Sequence, residues 1–329
     1  MPMRLIAPVK SQAVTTPMAG NTWGIEAVGA SSSTFDGTGI TVAVLDTGID
    51  PHHVAFAGVD LVRRNFTSES DNDLNGHGTH CAGTILGRDV EGTRIGVARG
   101  IQRALIGKVL GEGGGSSTTL AEAIQWALNE GAHVISMSLG IDFPGFVKSL
   151  VHMQGLEIEA ATSIALESYR ANVNLFTELS RFIEAQSALT GRGTIVVAAS
   201  GNESNRPEFE IAVAPPAAGT GIIAVGALQE TPAGFSVASF SNDQVDISAP
   251  GVNVISAALG GGLVGLSGTS MATPHVAGVS ALWAHHLRDT LGSVNAQVLK
   301  ARLISSGIVS TLAPDQEADN VGAGIAQAP

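Results

Sequence analysis

ITVAVLD (Ile40–Asp46) is a run of β-branched and aliphatic residues that closes on a carboxylate. That is the pattern of a strand buried on both faces of a parallel sheet. Similar runs recur at Ala104–Leu110, His133–Leu139, Thr194–Ser200, Gly221–Val225 and Val245–Ala249. Helical patterns lie between them at His77–Leu86, Ser117–Asn129, Ser270–Leu287 and Asn295–Ser305. The alternation predicts an α/β fold, a doubly wound parallel sheet flanked by helices. From Ile141 to Arg192 the rhythm breaks. Ile158, Ala161, Ala165, Tyr169, Val173, Phe176, Leu179 and Ile183 recur at helical spacing there, which predicts one helix or two in series covering the sheet.

Composition narrows the function classes. The 329 residues bury a sizeable core, and charged residues make up only 14%, well below the roughly 25% of average chains. Acidic residues exceed basic ones by 29 − 17 = 12, which argues against a phosphate-binding face for nucleic acid. No apolar run reaches the roughly 18 residues that cross a membrane. A single cysteine, Cys81, excludes an intramolecular disulfide. Residues 1–20 lack an uninterrupted apolar segment of signal-peptide type, so the expected location is cytoplasmic. No linker divides the rest, and 21–329 read as one domain with an insertion at about 141–192.

Three motifs sit where strands end or helices begin. Asp46-Thr47-Gly48 ends the first strand, where α/β folds place catalytic groups. Asn75-Gly76-His77-Gly78 clears space around an imidazole. Gly268-Thr269-Ser270 starts a helix, with Pro274 expected inside the first turn, where a missing N–H is tolerated. A serine needs an imidazole to take its proton, and the imidazole needs a carboxylate to fix its tautomer. The order Asp, His, Ser excludes α/β-hydrolases, which place acid and base after the serine, and chymotrypsin-like barrels, which run His, Asp, Ser.

VAVLDTGID (Val42–Asp50), NGHGTHCAGT (Asn75–Thr84), VVAASGNE (Val196–Glu203) and GTSMATPHVAG (Gly268–Gly278) resemble the motifs of the subtilisin-like serine proteases. The resemblance runs from about Trp23 to the end. It implies a serine endopeptidase that acts on unfolded or flexible polypeptides through an acyl-enzyme. Asp46 would orient the base, His77 would be base and acid, Ser270 the nucleophile, and Asn202 the side-chain oxyanion donor. Peptide substrate would pair between Gly113-Gly114-Gly115 and Ser138-Leu139-Gly140. Ala199-Ser200-Gly201 would complete a primary pocket with room for a large apolar side chain. Rival readings are a ligase or macrocyclase using the same acyl-enzyme, and a non-catalytic peptide-binding module.

The resemblance also reaches the termini and loops. Arg4-Leu5-Ile6-Ala7-Pro8 is similar to the extension that blocks the active site of bacterial intracellular subtilisins, which implies an inhibitory role for residues 1–20; the alternative is a floppy terminus with no such role. Because the 141–192 insertion starts at the substrate edge, a lid, an exosite or a homodimer contact is the alternative to simple coverage of the sheet. Cys81 reads as a small buried hydrophobe one turn after His77, with mercurial sensitivity implied. No cofactor is expected for the chemistry and no metal ligands are assigned. Asp71, Asn72 and Asp73 read as a solvated turn before the catalytic loop; the alternative is a structural calcium ion, since they offer the hard oxygens it prefers. His52-His53 and His285-His286 read as surface pairs.

Overall fold

Thr41–Asp46 form a strand because β-branched residues on both faces can be buried at once, and all but Thr41 are excluded from water. The computed structural model describes residues 4–5, 10–13 and 19–329. Three short strands come first, β1 (Arg4–Leu5), β2 (Lys10–Ala13) and β3 (Gly20–Asn21), then helix α1 (Trp23–Ala27). The first half of the domain continues through β4 (Thr41–Asp46), β5 (Asp60–Asn65), α2 (His77–Leu86), β6 (Thr93–Arg94) and β7 (Arg103–Lys108). It closes with α3 (Ser117–Asn129), β8 (Val134–Met137) and β9 (Leu139–Gly140). The second half holds α4 (Phe143–Gln154), α5 (Ile158–Thr190), β10 (Ile195–Ala199), β11 (Ile223–Thr231), β12 (Gly234–Val237) and β13 (Ile247–Pro250). Last come β14 (Val254–Ala257), β15 (Leu263–Ser267), α6 (Thr269–Leu291), α7 (Ala296–Ser305) and α8 (Ala318–Val321).

The central sheet runs β12-β11-β10-β8-β4-β7-β5, and β13 also pairs with β11. Every pairing in it is parallel except β11 with β12, as the doubly wound reading requires. Helices cover both faces. One core joins β4, α2 and α6 through Val42, Val44, Ile85 and Val276. The other joins the sheet to α3 and α5 through Leu105, Ile124, Phe176 and Ile183. Parallel strands put their carboxyl ends on one side, so Asp46, Lys108 and Ala199 end near one another in projection along the sheet.

Two buried imidazoles tie the first layer together. His80 on α2 shares its Nε2 between the carbonyls of Val254 (2.9 Å) and Val264 (3.2 Å), and burial drives its pKa down to about 3. His275 on α6 bonds the Met271 carbonyl through Nδ1 at 2.8 Å, and burial brings it to about 4. Both are neutral pins at ordinary pH. His53 departs from its surface expectation: it is buried, accepts from Ala55 N (3.1 Å) and bonds the Gly262 carbonyl (2.8 Å).

The 141–192 insertion is two helices folded back on each other rather than a single rod. Asp142 caps α4 by accepting from Gly145 N, and Gly155 ends it in the left-handed conformation that lets the chain reverse. α4 packs on the start of α5 in a small core of Val147, Leu150, Ala161 and Ala165. Farther along, α5 sinks Phe176 and Ile183 beneath the sheet, so the covering role holds for its second half. The Tyr169 hydroxyl donates to the Val213 carbonyl (2.7 Å), and Ser117 bonds Asn172, locking α5 to its neighbours.

This packing makes a stability test simple. Phe176→Ala empties a fully buried site and should destabilise the fold by about 3–5 kcal/mol, whereas Met153→Ser at the exposed end of α4 should stay within about 0.5 kcal/mol. Urea unfolding of both variants checks this, in a Ser270→Ala background to prevent self-digestion.

Candidate active site

The three motifs converge at the carboxyl end of β4. Asp46 is its last residue and His77 the first of α2, and Asp46 Oδ1 lies 2.8 Å from His77 Nδ1 with both side chains 1% exposed. The same oxygen also accepts from Thr47 N at 2.7 Å, which holds it toward the imidazole. Burial alone would disfavour an imidazolium here. The adjoining Asp46 carboxylate overrides that and holds the pKa of His77 well above the ordinary 6.5.

Ser270 enters from the neighbouring helix of the same layer, second in α6. Its Oγ donates to the Ser138 carbonyl at 3.3 Å. Cys81 bridges the two helices, its Sγ lying 3.8 Å from His77 Nδ1 and 3.4 Å from the Ser270 carbonyl. The thiol is fully buried, and burial pushes its pKa up, as a small packed hydrophobe requires.

Pro274 is not in the first turn as expected; it is the sixth residue of α6. Without an N–H it cannot serve the carbonyl four residues back, which belongs to Ser270. Ser138 Oγ (2.9 Å) and the Cys81 thiol donate there instead. The proline therefore creates a vacancy on the nucleophile's own carbonyl, and residues from β8–β9 and α2 fill it.

Asn202 lies on the turn after β10. Its Oδ1 accepts from Thr269 N and Thr269 Oγ1, both at 2.9 Å, which orients the amide Nδ2 toward Gly268. A Cβ at Gly268 would lie 3.2 Å from that Nδ2, so glycine keeps the space beside it open. Asn242, which the motifs did not single out, rivets this turn. Its Oδ1 accepts from Glu203 N (3.0 Å) and Ser204 N (3.1 Å), and its Nδ2 donates to Glu203 Oε2 (2.7 Å) and the Ser200 carbonyl (3.2 Å). Burial pushes Glu203 up to about 7 despite that amide bond, with Asp142 adding repulsion.

Asp73 is not part of a solvated turn. It is 3% exposed, and each oxygen is saturated. Oδ1 accepts from Thr47 Oγ1 (2.9 Å), Asn75 N (3.0 Å) and Gly76 N (2.9 Å); Oδ2 accepts from Thr79 N (3.0 Å) and Thr79 Oγ1 (2.7 Å). Burial works against its charge, but these five donors win and hold its pKa below the usual value. The Asn72 carbonyl is taken by the Lys108 ammonium (2.9 Å), itself buried against Glu69 (3.2 Å). Asp71 accepts from Asn65 (3.1 Å). With both Asp73 oxygens and the Asn72 carbonyl committed and a cation already beside them, the Asp71–Asp73 run does not fit a calcium ion.

A cleft of ≈ 850 Å³ opens beside this centre, bounded by Thr47, Asn75, Leu110, Glu112 and Gly113-Gly114. Gly114 is closed on Gly111 by two backbone bonds (2.9 and 3.1 Å), so of the three glycines expected to form one edge, Gly114 is engaged in its own turn. On the other side, β9 pairs antiparallel with β1, Arg4 opposite Gly140 and Leu5 opposite Leu139. Ala199 ends β10, Ser200 N bonds the Val225 carbonyl, and Gly201 N donates to Thr269 Oγ1 at 3.3 Å. β2 pairs with β15, Lys10 opposite Ser267.

Residues 37–324 match the model of the subtilase family of peptidases. The chain belongs to the subtilase family. Subtilisin Savinase of Lederbergia lenta is 36% identical over 314 residues, 88% of this chain and 96% of that protein. M-protease of Shouchella clausii is 35% identical over 325 residues, covering 93% and 73% respectively. An alkaline protease of Alkalihalobacillus alcalophilus is 36% identical over 332 residues. As a subtilase, the chain is a serine endopeptidase, and such enzymes need no cofactor for catalysis.

The Asp73 hub yields a prediction for this subtilase. Asp73→Ala removes the acceptor of five buried donors and should lower stability by at least about 3 kcal/mol. Because the folded pKa is depressed, that contribution is present above the unfolded value near 3.9 and disappears as pH falls through the folded one. Urea unfolding of Ser270→Ala with and without Asp73→Ala, at neutral and acidic pH, measures both effects.

Proposed function

We propose that Ser270, His77, Asp46 and Asn202 carry the peptidase chemistry; the observation that supports this above the rest is the fully buried 2.8 Å contact of Asp46 with His77, bridged to the Ser270 carbonyl by Cys81. Ser270 Oγ attacks the peptide carbonyl while His77 Nε2 takes its proton, and Asp46 stabilises the imidazolium. The oxyanion is met by Asn202 Nδ2 and the Ser270 N–H at the positive end of α6. The C–N bond then breaks as His77 returns the proton to the leaving amine. Water attacks the acyl-enzyme, gives a proton to His77, and frees the carboxylic acid. Edge pairing to Ser138-Leu139-Gly140 and Gly113–Gly115 favours extended, unfolded polypeptide. No calcium ion at Asp71–Asp73 is included.

The proposal extends to the N-terminus, which acts as an occupant of the cleft. Two pairings support this. Arg4–Leu5 lie on the strand edge assigned to substrate, and Lys10 lies opposite Ser267, three residues before Ser270. Self-association into a homodimer belongs to it too, supported by the apolar outer face of α5. An intracellular setting is likewise proposed, supported by the chain having only one cysteine, which is buried and unpaired.

Three measurements follow from this reading. Asn202→Ala should lower kcat by about 10²–10³, the range known for removing this donor in a subtilisin, with little change in KM; an unchanged kcat defeats the assignment. The base must be neutral, so kcat/KM should rise with pH through an apparent pKa well above 6.5, and Asp46→Asn should leave only about 10⁻⁴ of the activity. An intact-mass time course with unfolded casein tests the extension. The full chain should show a lag that ends as its N-terminus is trimmed, while protein lacking residues 1–18 starts at once and Ser270→Ala does neither.

A further inference from the structure

Seven of the fourteen large apolar side chains exposed among the described residues lie between Met153 and Leu189, on the helix pair inserted after β9. Most of them are not scattered. At about 100° per residue, α5 presents Ala161, Ala165, Asn172, Phe176 and Ile183 to the protein interior. Its exposed Ile164, Leu175, Phe182 and Leu189 fall together on one flank, within about 40° of arc. Starting at Ile164, positions on this flank recur at steps of four and three, the seam spacing of paired helices.

Resting on the self-association proposed above, we propose that this flank is covered by the same flank of a second copy, the two α5 helices running antiparallel about a two-fold axis beside Phe176 and Thr177. Under that operation the seam maps onto itself. Ile164 meets Leu189, Ser168 meets Ala185, Ala171 meets Phe182 and Leu175 meets Glu178. Small residues oppose large ones at Ala171 and Phe182, and the contact occurs twice by symmetry. The pairing also suits the charge. A chain of net charge −12 repels its copies over most of its surface, but the seam holds one ionisable residue, Glu178, whose carboxylate is drawn 2.6 Å from Arg181 on its own helix.

Area sets the strength. From Ile164 to Leu189 the seam is about 39 Å long and, at roughly 10 Å wide, covers on the order of 400 Å² per copy. The two copies together bury about 800 Å², short of the roughly 1,200 Å² at which standard interfaces begin, so the contact is of the weak, transient kind.

The register makes the test sharp, because the native Cys81 is buried and does not compete. In full-length Ser270→Ala protein, Ala171→Cys with Phe182→Cys should give an inter-chain disulfide on mild oxidation. Ala171→Cys alone should not, since the two copies of that residue would stand about 16 Å apart along the seam, beyond disulfide reach. Sedimentation of the parent protein should show a monomer–dimer equilibrium, weakened at least tenfold by Phe182→Glu, while the active form of Phe182→Glu keeps its hydrolysis of a short peptide and of casein. A chain that stays monomeric at hundreds of micromolar overturns the proposal, as does equal cross-linking by the single cysteine variant. Loss of casein but not short-peptide cleavage in Phe182→Glu would assign the flank to substrate. Binding of monomer to phosphatidylcholine vesicles, abolished by Phe182→Glu, would assign it to lipid.

Discussion

The contact between Asp46 and His77 is the constraint around which the rest is arranged. A carboxylate removed from water is costly unless it is paired and hydrogen-bonded, and here its partner comes from a helix thirty-one residues away in sequence. The strand end and the helix start must therefore be held in register by something other than the pair itself. Asp73 does this, binding Thr47 beside the acid and Asn75, Gly76 and Thr79 around the base. Lys108 at the end of the neighbouring strand holds the turn that presents Asp73.

A second set of contacts fixes the nucleophile against this pair, and it depends on a missing hydrogen bond. Pro274 leaves the Ser270 carbonyl without its helical donor, so the carbonyl can receive Ser138 and Cys81. Ser138 then engages Ser270 twice, giving its hydroxyl to that carbonyl and receiving the serine hydroxyl at its own. The residue that opens the substrate edge and the residue that attacks the substrate are thereby joined. Asn242 plays the matching part for the turn of Asn202, using a side chain that satisfies several backbone groups at once.

Legibility in the sequence followed the strength of local pattern. β4 reads clearly because ITVAVLD is buried on both faces, and α2 reads from His77 because glycine precedes it in the left-handed conformation. β5 was not read, since Asp60–Asn65 is an edge strand whose polar residues face solvent and break the apolar run. Asp46, His77, Ser270 and Asn202 stand in short motifs whose spacing carries their chemistry. Asp73, Asn242 and Lys108 do not. An aspartate among Asp71 and Asn72 resembles a solvated turn, and only the fold brings five donors to it. Pro274 was seen but misplaced, because its meaning lies in a carbonyl one turn earlier.

The helix pair between Gly140 and Arg192 has a consequence for how this chain can change. It occupies the crossover between two neighbouring parallel strands, β8 and β10, whose pairing fixes its ends and leaves its interior length open. Each doubling of such a connection adds only about 0.6 kcal/mol of closure entropy, and α4 brings a small core of its own. The crossover can thus lengthen or shorten at little cost in closure entropy while the pairing of β8 with β10 keeps the catalytic frame at its dimensions.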